Sequence, residues 1–573
     1  MLESKAPRPR RSRAAGRVLA LLLGLGALVF APSLMLAPSL AGASVPVQPA
    51  APVQPAGASS ASWPSAGQNL ANSRTQSEET QISPADVGKL APKWKFTTHG
   101  EVSATPTVDE GVVYFPDWAG YLYAVNASTG QLIWQRQISE YDGTAGTVSR
   151  VSPAVYGNEL ILGDNAGSAH ANGANIFAVN RETGALIWSK QVDAHPEAID
   201  TGSPEIAGDR VIVGVSSNEE ASAAQPTYAC CTFRGSVVAL DAETGKLLWK
   251  KYTVPPNLHI ACKQLETPKG CQYSGGAVWG APSIDLETNT VYAGTGNNYS
   301  APSKAETCEQ EAEAHETSNA GCTSPRDYFD SVIALNLETG ALRWGHKVEG
   351  WDAYNIACAF GKGMTWCPTG KNPDFDFGGS APNLFTVDGK KVVGDGQKSG
   401  IYWVFNARTG KLVWDTLVGP GTATGGVEWG TAYDGSRIYV PEADPNVFGP
   451  AIEYELAGGE KVAGGSWAAL DPATGAFDWQ IATPGGAAAL APPSATDGVV
   501  FVGSMASAPG EANMFALEAA TGRTLWSYEA EGSVVAGPAI VDGTVYWGDG
   551  YGRFGLKAWT GAHTFYAFSL EGK

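Results

Sequence analysis

Short apolar runs recur along the chain, each followed by a polar turn and a tryptophan. The clearest copy is SVVALDAETGKLLW, Ser236 to Trp249, and the turn after the apolar run begins with an acid or an amide. The seven copies of Thr-Gly-x-x-x-Trp end at Trp134, Trp188, Trp249, Trp344, Trp414, Trp479 and Trp526. Self-similarity of this kind indicates a repeat architecture.

Each copy has the pattern of two strands joined by a tight turn. The apolar run predicts a buried strand. The acid or amide caps the turn, and the glycine supplies a positive φ. A buried tryptophan removes about 150–250 Å² from water, which is about 4–6 kcal/mol of gross transfer energy as an upper bound. We therefore interpret the seven tryptophans as structural side chains that reach over neighbouring units.

The two ends of the chain supply the halves of an eighth unit. The C-terminal FYAFSLEGK is a strand and turn without a tryptophan, and the N-terminal LAPKWKF provides Trp94. Joining them closes a ring and leaves no open sheet edge. The sequence therefore predicts an all-β fold, an eight-bladed β-propeller of four-stranded antiparallel blades closed by the N- and C-terminal segments.

Composition divides the 573-residue chain into three segments. Residues 1–43 combine a basic region, the apolar run VLALLLGLGALVF and the small residues SLAGA, which predict an export signal. An uncleaved membrane anchor is the alternative, although Pro32 breaks an apolar run that is short for a spanning helix. Residues 44–62 predict a Pro/Ala/Ser linker, and residues 63–573 the propeller. This organisation predicts a periplasmic or secreted protein without an integral membrane domain beyond the signal.

Charge and cysteine content narrow the choice of partners and compartment. The net charge of −19 argues against nucleic acid as a partner and is compatible with a basic protein partner. The eight cysteines fit an oxidising compartment. Pairing nearest neighbours gives a hypothetical connectivity of Cys262 with Cys271, Cys308 with Cys322, Cys358 with Cys367, and Cys230 with Cys231. The chain has no Cys-x-x-Cys-His motif, so it attaches no c-type haem.

The repeat A-x-D-x-x-T-G-x-x-x-W resembles that of the pyrroloquinoline quinone (PQQ) dehydrogenases. The likeness extends from Trp63 to the C-terminus and implies an alcohol dehydrogenase with PQQ at the ring axis. The repeat alone also resembles the β-barrel assembly scaffold lipoprotein, which has no cofactor. Residues outside the repeat must therefore decide between an enzyme and a cofactor-free scaffold.

One such residue set lies in WGAPSIDLETNTVYAGTGN. It places Trp279 and Asn297 at the separation at which methanol dehydrogenases carry a Trp and a Gly-Thr-Gly-Asn motif. The resemblance implies that Trp279 lies flat under the quinone and that the Asn297 oxygen binds Ca²⁺. A planar ring suits a planar partner, and Ca²⁺ accepts amide oxygens. The alternative is a core tryptophan and a turn asparagine.

Two further motifs resemble the catalytic residues of that family. EGWDAYN, downstream of Trp344, implies that Asp352 is the general base and lies beside the metal. The lanthanide-using branch has a second acid two residues later, where this chain has Tyr354, so Ca²⁺ is favoured. GDGQKSGIYWVF implies that Lys398 lies over the quinone oxygens, where negative charge develops. The alternatives are an aspartate that caps a turn and an exposed lysine.

The carboxylate ligand of the metal is expected in GVSSNEE. Alignment on Val-Gly-x-Ser-Ser favours Glu219 as a bidentate ligand and leaves Glu220 open. Methanol dehydrogenase has adjacent disulfide-bonded cysteines against the quinone, and Cys230 and Cys231 resemble them. Because these two follow the glutamate in a later blade, their contact with the cofactor stays open.

The blade openings predict the remaining cofactor contacts. The side chains that precede the inner-strand prolines are expected to line one mouth of the central channel. Arg150 in SRVSP and Thr201 in DTGSP are candidates for the cofactor's carboxylates, with ordinary structural residues as the alternative. In GGVEWG, Glu428 and Trp429 are candidates to face the centre.

These motifs imply PQQ- and Ca²⁺-dependent oxidation of alcohols by hydride transfer to the quinone. Since the chain has no haem motif, we expect an external cytochrome c to receive the electrons. The phrases SSNEE, CCTFRG, GQKSG and GGVEWG resemble the polyvinyl alcohol branch, which favours secondary or polymeric alcohols. The rival hypothesis is a cofactor-free propeller that binds proteins in the cell envelope.

Overall fold

The computed structural model describes residues 62–165, 172–225, 227–257, 272–360, 366–368, 370, 373–377, 379–444, 452–556 and 559–573. The chain divides into two units, Met1–Gln54 and Pro55–Lys573, and all described residues belong to the second. The expected signal and nearly all of the linker therefore lie outside the described residues, as do Cys262 and Cys271. Among the described residues, no helix has the length and apolar character needed to cross a bilayer.

Eight antiparallel sheets of four main strands form the second unit, which confirms the predicted propeller. Blade 1 has Thr107–Asp109, Val112–Pro116, Tyr121–Asn126 and Leu132–Gln137. Blade 2 has Ala154–Tyr156, Glu159–Gly163, Ala174–Asn180 and Leu186–Asp193. Blade 3 has Glu205–Ala207, Arg210–Ser217, Ser236–Asp241 and Leu247–Tyr252, with the short Ala198–Ile199 added. Blade 4 has Ser283–Asp285, Thr290–Gly294, Ser331–Asn336 and Leu342–Lys347.

The other four blades repeat this order from the inner to the outer strand. Blade 5 has Asn383–Val387, Lys390–Gly396, Ile401–Asn406 and Leu412–Leu417. Blade 6 has Ala432–Tyr433, Ile438–Glu442, Ser466–Leu470 and Phe477–Ala482. Blade 7 has Ser494–Thr496, Val499–Gly503, Met514–Glu518 and Thr524–Tyr528. Blade 8 has Ala539–Val541, Thr544–Gly548, Thr564–Leu570 and, from the other end of the chain, Leu90–Thr97.

Loops between strands carry the remaining elements. In the described part of the chain, a small two-stranded sheet pairs Ser274–Gly275 with Asn298–Ser300, and a hairpin pairs Glu453–Glu455 with Lys461–Ala463. Among the residues that the structure describes, the α-helices are Ser139–Asp142, Glu219–Ser222 and Ser303–Ala314, and the 3₁₀ helices are Val87–Lys89, Ile356–Phe360, Pro484–Gly486 and Gly552–Phe554. Cys308 and Cys322, and likewise Cys358 and Cys367, stand at disulfide distance, with Cα–Cα separations of 5.4 and 4.8 Å.

The repeated tryptophans fasten each blade to the next. Each donates its indole N–H to a backbone carbonyl of the following blade at 2.9–3.2 Å. The pairs are Trp94–Ala127, Trp134–Arg181, Trp188–Ala242, Trp249–Leu337, Trp344–Ala407, Trp414–Pro472, Trp479–Ala519 and Trp526–Leu90. Seven of the rings also cover the Thr-Gly glycine of the next blade, where a Cβ would collide with the indole. These contacts confirm the structural interpretation of the repeat.

A segment before the first blade reaches every blade of the ring. We call residues 63–79 the N-terminal belt. Its partners on the innermost strands, in blade order, are Val108, Val155, Glu205, Ile284, Leu384, Tyr433, Ala495 and Ile540. The belt ends where Glu79 accepts the N–H of Gly543 at 2.7 Å. It therefore contacts all eight blades beside the ring axis.

Candidate functional site

A central cavity opens where the innermost strands begin. Its volume is about 80 Å³. Ser152, Ser203 and Ala281, which directly precede blade-opening prolines, line this cavity as predicted. Its other lining residues include the sequence candidates Arg150, Thr201, Trp279 and Trp429.

Trp279 lies between the cavity and a group of buried charges. Its ring is partly exposed, and the Trp429 ring meets it edge-on with centroids 4.9 Å apart. The Lys398 ammonium lies 5.8 Å from the Trp279 ring centroid. A Cβ on Gly379 would collide with the indole, so the ring needs glycine at this position.

Asn297 follows blade 4's second strand, Thr290–Gly294, and is buried. Its side-chain N–H groups donate to the carbonyls of Asn298 at 3.1 Å and Tyr354 at 2.8 Å, which fixes the orientation of the amide. The Oδ1 atom is left buried without a hydrogen-bond partner. A buried carbonyl oxygen without a partner is costly unless a further group binds it.

Residues 373–377, here called the DFD loop, bring two more acids to the site. The Asp352 carboxylate accepts the backbone N–H groups of Asp374 at 3.3 Å and Phe375 at 2.6 Å. Gln397 donates to the Phe375 carbonyl at 2.7 Å. The backbone N–H of Lys398 donates to the Asp376 carbonyl at 3.0 Å. These bonds hold the loop against blade 5.

Lys398 forms a buried ion pair with the DFD loop. Its ammonium lies 2.8 Å from Asp374 Oδ2 and 3.8 Å from Asp376 Oδ2. Burial by itself would lower the Lys398 pKa, but Asp374 and Asp376 raise that pKa well above its usual value, so the lysine stays charged. Asp374 Oδ1 is buried without a partner. The backbone N–H of Asn297 donates to Asp376, which joins the DFD loop to the asparagine.

Asp352, the general base that its motif implies, lies against the DFD loop. It is fully buried, and burial raises its pKa to about 7. Because its carboxylate is occupied by the N–H groups of the DFD loop, it positions Asp374. Sequence reasoning missed Asp374 and Asp376, although the alternating acids of PDFDFGG directly before blade 5 were a visible signal.

Adjacent glutamates on the helix Glu219–Ser222 have different surroundings. The Glu219 carboxylate is fully buried and accepts the N–H groups of Thr232 at 2.7 Å and Phe233 at 2.8 Å. Burial raises the pKa of Glu220 to about 7, and the charges of Lys398, Asp376 and Asp352 also act on that pKa. Glu219 is therefore occupied by backbone N–H groups, and Glu220 is the glutamate of the two that interacts electrostatically with the acidic group.

The remaining candidates lie around the cavity. The Arg150 guanidinium lies 4.0 Å from the Trp429 ring centroid, and Thr201 Oγ1 accepts a hydrogen bond from Asn165 at 3.0 Å. Cys230 and Cys231 stand at disulfide distance and are buried in an apolar cluster against which Trp279 packs.

A metal at this site would need more than carboxylates and imidazoles. In the part of the chain that the structure describes, no three His, Cys, Asp or Glu side chains are grouped so that they could hold an ion. The Asn297 Oδ1 atom, buried and unpartnered, is the further oxygen that a hard cation would use.

Known proteins share this fold and much of this sequence. Residues 63–359 match the family model described as Glucose/ethanol/alcohol dehydrogenase, beta-propeller domain. The chain is also 32% identical over 556 residues to a polyvinylalcohol dehydrogenase of Pseudomonas sp, covering 89% of this chain and 77% of that protein. This chain belongs to the PQQ-dependent alcohol dehydrogenase family.

Other similarities agree with this assignment to the PQQ-dependent family. A polyvinylalcohol dehydrogenase of Sphingopyxis sp. strain 113P3 is 32% identical, over 85% of this chain and 73% of that protein. The solved quinohemoprotein alcohol dehydrogenase ADHIIG of Pseudomonas putida HK5 superposes with a TM-score of 0.64 at 21% identity, over 89% of this chain and 80% of that one. A model described as Outer membrane protein assembly factor BamB matches residues 234–490 and 463–564, which lie within the repeats. The relatives are named as dehydrogenases, so this chain is an enzyme of that type.

Proposed function

We propose that this protein oxidises secondary or polymeric alcohols with PQQ and Ca²⁺ in the periplasm or outside the cell. The observation that carries the proposal is the buried Lys398–Asp374 ion pair beside Trp279, whose ring also lines the central cavity of a PQQ-family propeller. A cofactor-free scaffold has no use for this arrangement, because burying a lysine and several carboxylates costs free energy.

The cavity fits a flat, anionic cofactor. Trp279 offers a partly exposed ring that would lie under PQQ, and Lys398 offers a positive charge near that ring. Arg150 and Thr201 would bind the cofactor's carboxylates from the cavity wall. Trp429 and the Cys230–Cys231 pair would complete the enclosure.

The oxygen atoms around Asn297 fit Ca²⁺. Its unpartnered Oδ1 atom and the Glu220 carboxylate would hold the ion, since Ca²⁺ binds amide and carboxylate oxygens. Glu219, the ligand that the sequence favours, is the alternative. It would have to give up its bonds to Thr232 and Phe233.

When bound, the quinone supplies the two-electron oxidant, and Ca²⁺ supplies positive charge at its oxygens. Asp374 would then take the alcohol's hydroxyl proton at its unpartnered Oδ1 atom. Burial raises the pKa of Asp374 well above its usual value, and the Lys398 ammonium opposes that rise. Lys398 would also face the negative charge that develops during oxidation. Asp352, the base that the motif implies, would keep Asp374 in position.

The proposals for the alcohol substrate, the electron acceptor and the compartment are supported by the relatives and by the sequence. The names of the two relatives at 32% identity favour polymeric or secondary alcohols. The export-type residues 1–43 favour the periplasm or the outside of the cell. A net charge of −19 suits a basic electron acceptor such as an external cytochrome c.

Reconstitution tests the proposal. The purified protein is mixed with PQQ, with and without Ca²⁺, and its absorbance and dye-linked oxidation of primary, secondary and polymeric alcohols are measured. We expect a shifted quinone spectrum and Ca²⁺-dependent turnover, fastest with secondary or polymeric alcohols. Neither a shifted spectrum nor dye reduction with any alcohol would contradict the proposal and favour the scaffold.

A further inference from the structure

Two arginines, Arg150 and Arg553, lie close to the ring of Trp118 at the edge of the central cavity. The Arg553 guanidinium lies 3.5 Å from the Trp118 ring centroid, and the Arg150 guanidinium lies 5.5 Å from the same centroid. Arg150 also lies 4.0 Å from the Trp429 centroid. We call Arg150, Trp118 and Arg553 the arginine clamp. It joins loops of blades 2, 1 and 8.

Neighbouring residues fix the clamp in place. Trp118 donates its indole N–H to Ser103 Oγ at 2.9 Å. The Glu101 carboxylate accepts the backbone N–H groups of Gly552 at 2.8 Å and Arg553 at 3.3 Å, which anchors the short helix that bears Arg553. The geometry is therefore built by specific contacts with blade 1.

The clamp places like charges near one another. Burial, and then the nearby Arg150, lower the Arg553 pKa. Within the described ranges, neither guanidinium lies within ion-pair distance of an Asp or Glu side chain, although Glu101 and Glu428 lie near enough to interact electrostatically. In a chain of net charge −19, two neighbouring guanidiniums without a direct ion pair to a carboxylate indicate a site for an anion.

We propose that the arginine clamp is a carboxylate-binding site at the edge of the central cavity. Arg150 lines the cavity. Arg553 is exposed as a residue while its guanidinium is partly covered by the Trp118 ring, so the site extends from the cavity toward solvent. Guanidinium groups bind carboxylates through paired, charge-assisted hydrogen bonds, and Trp118 offers a flat surface beside them. The carboxylate belongs either to PQQ or to an alcohol substrate. In that respect the inference rests on the proposed function, and Arg553 is its new residue.

Affinity measurements test the clamp. PQQ is titrated into cofactor-free wild type, Arg553→Ala, Arg553→Lys and the exposed control Arg523→Ala, and thermal unfolding checks that all four fold. If PQQ is the ligand, we expect at least about tenfold weaker binding for Arg553→Ala, which corresponds to about 1.4 kcal/mol. We expect partial recovery for Arg553→Lys and no change for the control. The trimethyl ester of PQQ should bind wild type and Arg553→Ala equally.

A second arm identifies a substrate carboxylate. If the alcohol is the source, Arg553→Ala should raise the KM of the loaded enzyme at least about tenfold for a hydroxy acid. The KM for the matching neutral alcohol and both kcat values should not change. In the third arm, the planar probe benzene-1,3,5-tricarboxylate is titrated while tryptophan fluorescence is followed.

The three arms separate the two proposals. Binding of the tricarboxylate that Arg553→Ala weakens, without any PQQ binding or alcohol oxidation by wild type, would defeat the proposed function and leave the clamp supported. Equal affinities and KM values for wild type and Arg553→Ala in all three arms would overturn the clamp, as would the absence of carboxylate binding by wild type.

Discussion

The rim of the propeller and its centre are held by different kinds of contact. At the rim, one contact is repeated eight times, an indole N–H to a neighbouring carbonyl, and both groups are neutral. At the centre, each contact occurs once and most of them involve charge, as in Lys398 with Asp374 or Asp352 with the DFD loop. Repetition therefore holds the ring together, and departures from it form the site.

The same residue type shows this difference directly. Asp241 and Asp471, in rim turns, have pKa values lowered by hydrogen bonds from Thr244 and Thr474, so they stay charged and cap their turns. Asp352, at the centre, has its pKa raised to about 7 by burial. Exposure keeps the rim acids as simple turn formers, and burial gives the central acid a pKa near neutrality.

The largest expected effect is at the centre. Asp374→Asn should lower kcat by about 10²–10⁴-fold, because the proton acceptor is lost. It should also lower the free energy of unfolding by about 3–5 kcal/mol, because the buried Lys398 loses its nearest carboxylate. Steady-state kinetics of the reconstituted enzyme measures kcat, with the exposed Asp415→Asn as the control. If Asp374→Asn turns over normally and Asp352→Asn does not, the base is Asp352, as its motif implies.

Removing one rim contact should lower the free energy of unfolding and leave kcat per folded molecule unchanged. Trp249→Ala should lower the free energy of unfolding by about 3–5 kcal/mol, because it leaves a cavity over Gly340 and an unpaired Leu337 carbonyl. Urea unfolding measures the loss. Trp249→Phe is the matched control that keeps most of the packing. A fall in kcat per folded molecule would show that rim and centre are not independent.

The two neighbouring glutamates offer a smaller test within one helix. Glu220→Gln should weaken Ca²⁺ binding by about tenfold or more without loss of stability, since it removes a ligand charge. Glu219→Gln should instead lower the free energy of unfolding by about 1–3 kcal/mol, because Thr232 and Phe233 lose a charged acceptor. Calcium titration and urea unfolding separate these outcomes. The opposite pattern would return the metal ligand to Glu219.

A pH effect on stability is expected near the axis. Burial raises the pKa of Glu205, which bonds to Ser65 of the belt, from 4.5 to about 8. Between these values the folded state holds more protons than the unfolded state. The free energy of unfolding should therefore fall with rising pH, by at most about 1.4 kcal/mol per unit.

Urea midpoints at pH 5 and pH 8 measure the effect of Glu205. The Glu205→Gln variant should show a flatter pH dependence than wild type, since it cannot ionise. Parallel curves for the two proteins would contradict the assignment.

The sequence predicted the features that come from the repeats and from the spacing of residues within short motifs. The Thr-Gly-x-x-x-Trp units specified the blades and the role of Trp249, and single motifs led to Trp279, Asn297 and Lys398, which the structure places around one site. The sequence favoured Glu219 and left Glu220 open, because their order along one short helix does not say which of them faces the site. Asp374 was missed because its return to Lys398 depends on how a long loop folds.

The belt has a consequence for the order in which the molecule is assembled. Glu79 bonds to Gly543 across 464 positions of the chain, and Gln76 bonds to Ile540 across the same separation. Contacts this remote cannot form until the final blade exists, and closing so long a loop is slow. The belt is thus synthesised early, but its contacts with blade 8 are among the last to form. Until then the end of the central channel beside the belt stays open, and a bulky planar molecule can also enter from that side.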